Sequence, residues 1–150
     1  MEDCRVELME ALGLPLVNRF YKACHYSAKA GRGERVYVMR RGTDILAALR
    51  LVPKADGYFF LRSMCVHPNH RRQGLGQQLL DGILPVLDQD ACYCYPFSHL
   101  LAFYGRIGFE LRQPDAVSAE IREPFQRYLA QGRDIAIMVR EPLRDADTGR

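Results

Sequence analysis

The sequence has no long hydrophobic run, since no apolar stretch approaches the roughly 20 residues that are needed to cross a bilayer. Its N-terminus, MEDCRVELME, also lacks the basic region followed by an apolar one that marks a secretory signal peptide. We therefore expect a cytoplasmic protein that has no membrane partner.

A strong excess of one charge sign is also missing. The chain has 21 Lys and Arg residues against 18 Asp and Glu residues, which gives a formal net charge of +3. This excess is too small to argue for a nucleic-acid partner, although it is compatible with an anionic cofactor. With 150 residues, 48% of them hydrophobic, the chain has the length of one domain with a real core. We expect a single domain over residues 1–150, with a frayed polar tail from about residue 142.

Cysteines are few and odd in number, which argues against a disulfide framework. The five are Cys4, Cys24, Cys65, Cys92 and Cys94. The Cys92-x-Cys94 spacing is not that of a zinc ribbon, and no paired histidine motif accompanies it. Alternation along a strand would place both side chains on one face. We therefore interpret them as small core residues and predict no metal.

Hydrophobic periodicity predicts a mixed α/β or α+β fold built from short strands and helices. Alternating or apolar runs predict strands over residues 4–8, 35–40, 45–52, 58–66, 90–95, 109–112 and 134–140. Apolar residues at helical spacing predict helices over residues 15–24, 75–87, 100–107 and 119–131. Pro85 lies within the second of these helices and should kink or shorten it. The three strands between residues 35 and 66 are separated by turn residues and are most simply an antiparallel meander.

The stretch His70–Leu80, HRRQGLGQQLL, combines two arginines, two closely spaced glycines and the start of an apolar helix. Its two glycines, Gly74 and Gly76, lie at a strand-to-helix turn, where the lack of a Cβ lets backbone N–H groups approach a ligand. The helix start adds unpaired N–H donors and the positive end of a dipole, and Arg71 and Arg72 add charge. The pattern therefore predicts a phosphate or pyrophosphate site.

Two other glycine-loop motifs do not fit this stretch. A nucleotide P-loop needs Lys and then Ser or Thr after its last glycine, but Gly76 is followed by Gln77 and Gln78. The dinucleotide fingerprint needs a third glycine where this chain has Leu79. A nucleotide- or phosphate-binding α/β module is therefore disfavoured.

A second block, residues 102–109 with the sequence AFYGRIGF, follows about thirty residues later. Together the two blocks resemble the GNAT superfamily of acyl-CoA-dependent N-acetyltransferases, in its Arg/Gln-x-x-Gly-x-Gly/Ala cofactor loop and its Phe-Tyr-x-x-x-Gly-Phe block. The family often has Asn seven residues before the tyrosine and Ala four before it, where this chain has Phe97 and Leu100. The resemblance implies a mostly antiparallel sheet of six to seven strands, flanked by helices and splayed at a cofactor gap.

The resemblance also implies an activity, which is N-acetyl transfer from acetyl-CoA to a primary amine of a small molecule or peptide by direct attack in a ternary complex. The pantetheine arm would pair with backbone at a strand end, and the pyrophosphate would lie on loop amides. The implied cofactor contacts are Met64, Cys65, Val66, Arg71, Arg72, Gln73, Gly74, Leu75, Gly76 and Gln77. The backbone N–H of Val66 would polarise the thioester oxygen, and Tyr104 would be the general acid. Backbone pairing needs no particular side chain at Cys65.

The general base is left open. Many family members carry a carboxylate on the strand before the loop, but that strand reads YFFLRSMCV in this chain. Water, Tyr93, Tyr95 or a carboxylate from another segment remain as acceptors of the amine proton. The missing carboxylate favours a second hypothesis, a non-catalytic acyl-CoA-binding sensor or regulatory domain, whereas Tyr104 counts against it.

The acceptor amine and the oligomeric state also stay open. We expect the acceptor pocket to involve residues 26–34 and 112–134, which are the segments least constrained by the two blocks. Because members of the family are often dimeric, the resemblance leaves room for a homodimer.

Overall fold

The computed structural model describes residues 3–143, which form two compact units. The first unit holds the described residues up to Pro53 together with Phe60–Ile83, and the second holds Lys54–Phe59 together with the described residues from Leu84 onward. Most of the tail predicted over residues 142–150 lies outside the described residues. The backbone N–H of Leu143 donates to the carbonyl oxygen of Asp88 over 2.9 Å, so the chain is tied down at that point.

Four strands and two helices make up the first unit. Its elements are β1 (Cys4–Leu8), α1 (Leu14–Ala23), β2 (Arg35–Arg41), β3 (Asp44–Pro53), β4 (Phe59–Val66, of which Phe59 belongs to the second unit) and α2 (Leu75–Gly82). The strands lie in the order β1-β2-β3-β4. Strands β1 and β2 pair antiparallel, as do β2 and β3, in which Val38 lies opposite Ala48. The predicted meander order is therefore confirmed.

Apolar spacing explains the core of the first unit. Helix α1 buries Val17, Phe20 and Tyr21, which recur every three or four residues and so share one face. That face joins a cluster with Val36, Val38, Ala48 and Cys65 from the strands. The turn between β2 and β3 places Gly42 at φ 61°, a conformation that glycine adopts without a Cβ penalty.

The second unit contains three short strands and three helices. Its elements are α3 (Leu84–Leu87), β5 (Cys92–Cys94), α4 (Leu101–Gly105), β6 (Glu110–Arg112), α5 (Ala119–Ala130) and β7 (Ile137–Arg140). Strand β7 lies between β5 and β6 and pairs antiparallel with both. Cys92 and Cys94 are buried in β5, which confirms that they are core residues.

A buried arginine ties the second unit together. Arg140 donates from Nε to the carbonyl oxygen of Ile107 and from Nη1 to that of Leu87, each over 2.7 Å. Its Nη2 forms an ion pair with Asp88 at 2.7 Å. These three bonds connect the last strand to the ends of α3 and α4. This role of Arg140 was not predicted from the sequence.

Helices and strands differ from the predicted bounds mainly at their ends. The helix predicted over residues 75–87 ends at Gly82 and resumes at Leu84, because Pro85 lacks the N–H that a continuous helix would need. Ile83 between them has φ −101° and ψ 4°, outside helical values. The strands predicted over residues 90–95 and 134–140 shrink to Cys92–Cys94 and Ile137–Arg140, which form the continuous ladder between β5 and β7. Ile135 makes only an isolated bridge with Phe97.

The fold class agrees with the prediction, since the described chain has seven mostly antiparallel strands together with helices. None of the helices between Asp3 and Leu143 is long and apolar enough to span a bilayer.

Candidate functional site

The segment that joins β4 to α2 has an irregular backbone with two residues in the left-handed region. After β4 ends at Val66, the N–H of His67 donates to the carbonyl oxygen of Leu46 over 2.8 Å, and Pro68–His70 forms a 3₁₀ turn. Arg72 then adopts φ 65° and Gly74 adopts φ 77°. A positive φ is uncommon for a residue other than glycine, so the loop holds a specific shape at Arg72.

Helix α2 begins directly after this loop and presents its first amides. The first intrahelical bond runs from the N–H of Gln78 to the carbonyl oxygen of Gly74 over 3.0 Å. The three preceding helical amides therefore have no acceptor within the helix. Gly74 and Gln77 are exposed, whereas Leu75 is buried and anchors the turn. A Cβ built on Gly74 would meet nothing within 4 Å, so the loop faces open space there. This arrangement suits an anion.

Arg71 connects the loop to the end of β4. Its Nε donates to the carbonyl oxygen of Val66 over 3.3 Å, which uses one of the five N–H groups of the guanidinium. Arg71 and Arg72 are both exposed. Positive charge and exposed amides thus occur on the same loop.

Strand β4 bends just before the residues predicted to contact the cofactor. Ser63 is buried and has φ 60°. Its carbonyl oxygen accepts a hydrogen bond from the Tyr21 hydroxyl over 2.8 Å, and its Oγ accepts one from Nη1 of Arg50 over 3.0 Å. Arg50 in turn forms a two-bond ion pair with Glu34, at 2.8 Å and 2.7 Å.

This polar group was not predicted from the sequence, although the sequence holds one signal for it. Arg50 lies in the otherwise apolar run ILAALRLV of β3, and a charged residue in a buried strand needs a partner. The partner Glu34 lies just before β2 and could not be paired with Arg50 without the register of the sheet.

The electrostatics of these groups follow from their burial and partners. Burial tends to raise the pKa of Glu34, but hydrogen bonds from Arg50 and from the Gly31 N–H outweigh it and hold the pKa below its usual range. Burial raises the pKa of Cys65 to about 12, with a further contribution from the neighbouring Cys24 thiol. The Cys65 thiol is therefore un-ionised at neutral pH, which makes it a poor nucleophile.

Tyr104 lies on α4 in the second unit. It is 5% exposed and makes edge contacts with the rings of Phe103 and Phe109. Gly108, at φ 101°, turns the chain after α4, and the Phe109 N–H then donates to the carbonyl oxygen of Tyr104 over 3.3 Å. The predicted site residues therefore belong to two different units. Those from Met64 to Gln77 lie in the first unit, and Tyr104 lies in the second.

Two of the candidate bases are disfavoured by their surroundings. Burial raises the pKa of both Tyr93 and Tyr95 well above the usual range of a phenol, so both hydroxyls are protonated at neutral pH. The Tyr95 hydroxyl also donates to the carbonyl oxygen of Ile121 over 2.7 Å. Between residues 3 and 143, no group of three or more His, Cys, Asp and Glu side chains is placed to hold a metal ion.

Residues 32–111, more than half of the chain, match a family model described as an acetyltransferase (GNAT) domain. A search of curated protein sequences gave no match.

Several solved structures share the fold at low sequence identity. The ribosomal-protein-S18-alanine N-acetyltransferase from Escherichia coli is 16% identical with a TM-score of 0.68, and the match covers 97% of each chain. Arabidopsis thaliana Naa50, in complex with the bisubstrate analogue CoA-Ac-MVNAL, is 13% identical with a TM-score of 0.63, over 92% of this chain and 98% of that one.

A third similar structure is longer than this chain. N-acetylglutamate synthase from Neisseria gonorrhoeae, complexed with coenzyme A and L-arginine, is 12% identical with a TM-score of 0.69. The match covers 96% of this chain and 34% of the synthase, so this chain spans about a third of that protein. At such identities the similarity shows the fold alone.

Proposed function

This chain belongs to the GNAT acetyltransferase family, and we propose that it transfers an acetyl group from acetyl-CoA to a primary amine of a small molecule or peptide. The observation that carries the proposal is the loop after β4, which presents the first amides of α2 beside two exposed arginines. Such a site suits the pyrophosphate of an acyl-CoA.

The pyrophosphate and the pantetheine arm of the acyl-CoA both have proposed contacts in the first unit. The amides from Arg72 to Gln77 bind the pyrophosphate, and the guanidinium groups of Arg71 and Arg72 add charge-assisted hydrogen bonds. The backbone from Met64 to Val66 pairs with the pantetheine arm in the manner of an added strand. The bend at Ser63 supports this, because the left-handed backbone there interrupts the extended conformation of β4 just before those residues.

The reaction is attack of a neutral amine on the thioester carbon. A C–N bond forms, the C–S bond breaks, and the thiolate takes up a proton as it leaves. The N–H of Val66 stabilises the negative charge that develops on the carbonyl oxygen. Tyr104 supplies the proton to the thiolate. Direct attack in a ternary complex requires no acyl-enzyme, which agrees with the neutral Cys65 thiol.

The amine proton leaves through water in this proposal. Strand β4 carries no carboxylate, and Tyr93 and Tyr95 are protonated phenols. Glu34 is committed to Arg50 by two short hydrogen bonds, which makes it a poor proton acceptor. Positioning of the reactants can supply much of the rate without a dedicated base.

A second candidate is an acyl-CoA-binding sensor without catalysis. The absence of a carboxylate on β4 favours it. It would use the same loop and strand but would release no thiol in the presence of amines.

Thiol release from acetyl-CoA, measured with a panel of amines, tests the proposed function. The panel should include peptides with free N-terminal residues and L-glutamate, which the names of the similar structures suggest. We expect amine-dependent release with at least one acceptor. Tight binding of acetyl-CoA without release for any amine would favour the sensor.

A further inference from the structure

Strand β4 contains a serine, Ser63, in the left-handed backbone conformation that residues with a Cβ rarely adopt. Ser63 has a Cβ and lies at φ 60°, in a strand whose other residues are extended. Such a residue persists only when its surroundings hold it in place, and residues of this kind occur mainly near functional sites. The next three residues, Met64–Val66, are those that we propose to bind the pantetheine arm.

Two side chains hold Ser63, one through its carbonyl oxygen and the other through its Oγ. The Tyr21 hydroxyl donates to its carbonyl oxygen over 2.8 Å, and Nη1 of Arg50 donates to its Oγ over 3.0 Å. All three residues are buried, with 0%, 7% and 8% exposure for Tyr21, Arg50 and Ser63. In such surroundings a lost hydrogen bond is not replaced by water, so each contact restrains Ser63, one through its backbone carbonyl and the other through its side chain.

Arg50 can hold Ser63 because its own position is fixed. Its Nε and Nη2 donate to the two carboxylate oxygens of Glu34, over 2.8 Å and 2.7 Å, which leaves Nη1 aimed at Ser63. A planar guanidinium makes these three bonds at once, and a lysine could not. The carboxylate is itself oriented by the N–H of Gly31.

We propose that Arg50 is a positioning residue that, with Glu34, holds the bend at Ser63 so that the backbone of Met64–Val66 can bind the acyl-pantetheine arm. The inference rests on the proposed function, because it assigns a purpose to the bend only if an acyl-CoA binds there. A merely structural role for Arg50 would affect folding but would not distinguish between parts of the ligand.

The test compares two ligands by calorimetry at a temperature where each variant is folded. Acetyl-CoA carries the pantetheine arm, whereas 3′-phosphoadenosine 5′-diphosphate carries the pyrophosphate without it. Arg50→Met should weaken acetyl-CoA binding about tenfold, as expected when about one hydrogen bond of the bound state is lost. It should leave the affinity for the diphosphate within about twofold.

Arg40→Met is the matched control. Arg40 lies on the neighbouring strand β2, is partly buried, and pairs with Glu7 at 3.1 Å. The same substitution therefore removes a partly buried arginine and its ion pair away from Ser63, and both affinities should stay unchanged. If Arg50→Met does not fold, Ser63→Ala removes the Oγ contact while leaving the ion pair, and the same selective loss is expected.

The outcomes separate the two proposals. Equal weakening of both ligands, or no weakening, in Arg50→Met or Ser63→Ala would overturn the positioning role while leaving the proposed function intact. Failure of the unmodified protein to bind acetyl-CoA would overturn the proposed function and this inference with it.

Discussion

Replacing Gly74 by Asp should weaken acetyl-CoA binding about 100-fold, whereas Gly74→Asn should change it little. Gly74 has φ 77° and open space at its Cβ position, so a Cβ fits there in either variant. Asn and Asp tolerate positive φ better than most residues, so the backbone cost is similar in the two variants. Their difference therefore isolates the effect of one negative charge beside the proposed pyrophosphate.

The size of this effect follows from elementary electrostatics. Two unit charges about 5 Å apart at an effective dielectric of about 20 repel by about 3 kcal/mol. Since about 1.4 kcal/mol corresponds to a tenfold change in affinity, the loss is about 100-fold. The effect should shrink as salt concentration rises, because the loop is exposed.

Calorimetric titration with acetyl-CoA measures the effect directly. Gly57→Asp is the matched control, since Gly57 has φ 88° and open space at its Cβ position but lies in the turn before β4. Both Asp variants should melt at similar temperatures. Equal affinities for Gly74→Asp and Gly74→Asn would refute the assignment of this loop to the pyrophosphate.

Three further predictions concern other residues. Tyr104→Phe should lower kcat about 100-fold through loss of the proton donor, with acetyl-CoA affinity unchanged, because the ring packing is kept; equal kcat values, with chemistry rate-limiting, would return Tyr104 to a packing role. Arg140→Met should lower the free energy of unfolding by about 2–4 kcal/mol, because it removes the donor from two buried carbonyl oxygens, while the partly exposed Asp88 carboxylate can turn to water; a change below about 1 kcal/mol in urea unfolding would contradict this. Glu34→Gln should lower the free energy of unfolding at pH values above about 4.3, the ordinary pKa of a Glu carboxyl. The difference in free energy between the variant and the unmodified protein should vanish as the pH falls through the lower pKa of folded Glu34. A free-energy difference that is constant with pH in urea unfolding would argue against the ion pair.

The sign of the Glu34 prediction follows from the direction of its shift. Because folding lowers the pKa of this carboxyl, the folded state favours the ionised form. The ion pair therefore contributes its full stability above the unfolded pKa and loses it at acid pH.

Much of the fold was predictable because local patterns and the final structure agree. The apolar spacing of α1 and the turn residues around Gly42 both act over a few residues, and both predictions are confirmed. Pro85 showed where the helix after the loop would break. The exact strand ends were not predictable, since β5 and β7 extend only as far as their partners reach.

Only one part of the candidate site was predictable from the sequence, which is the loop whose backbone conformation requires a glycine. The loop at Gly74 follows from sequence, but the positive φ values at Ser63 and Arg72 do not, because neither residue type favours them. The contact between Arg50 and Ser63 joins residues on two strands, and the partner Glu34 lies before a third. Such contacts depend on register, which no local pattern in this sequence specifies.

Transfer of an isotope-labelled acetyl group tests the central claim most directly. The protein would be incubated with labelled acetyl-CoA and the amine panel, and the products would be separated and weighed by mass spectrometry. We predict a labelled amide on one class of amine, with the unmodified protein and with Gly57→Asp, and a strongly reduced yield with Gly74→Asp. Binding of acetyl-CoA without label on any amine would contradict the proposed acetyltransferase activity.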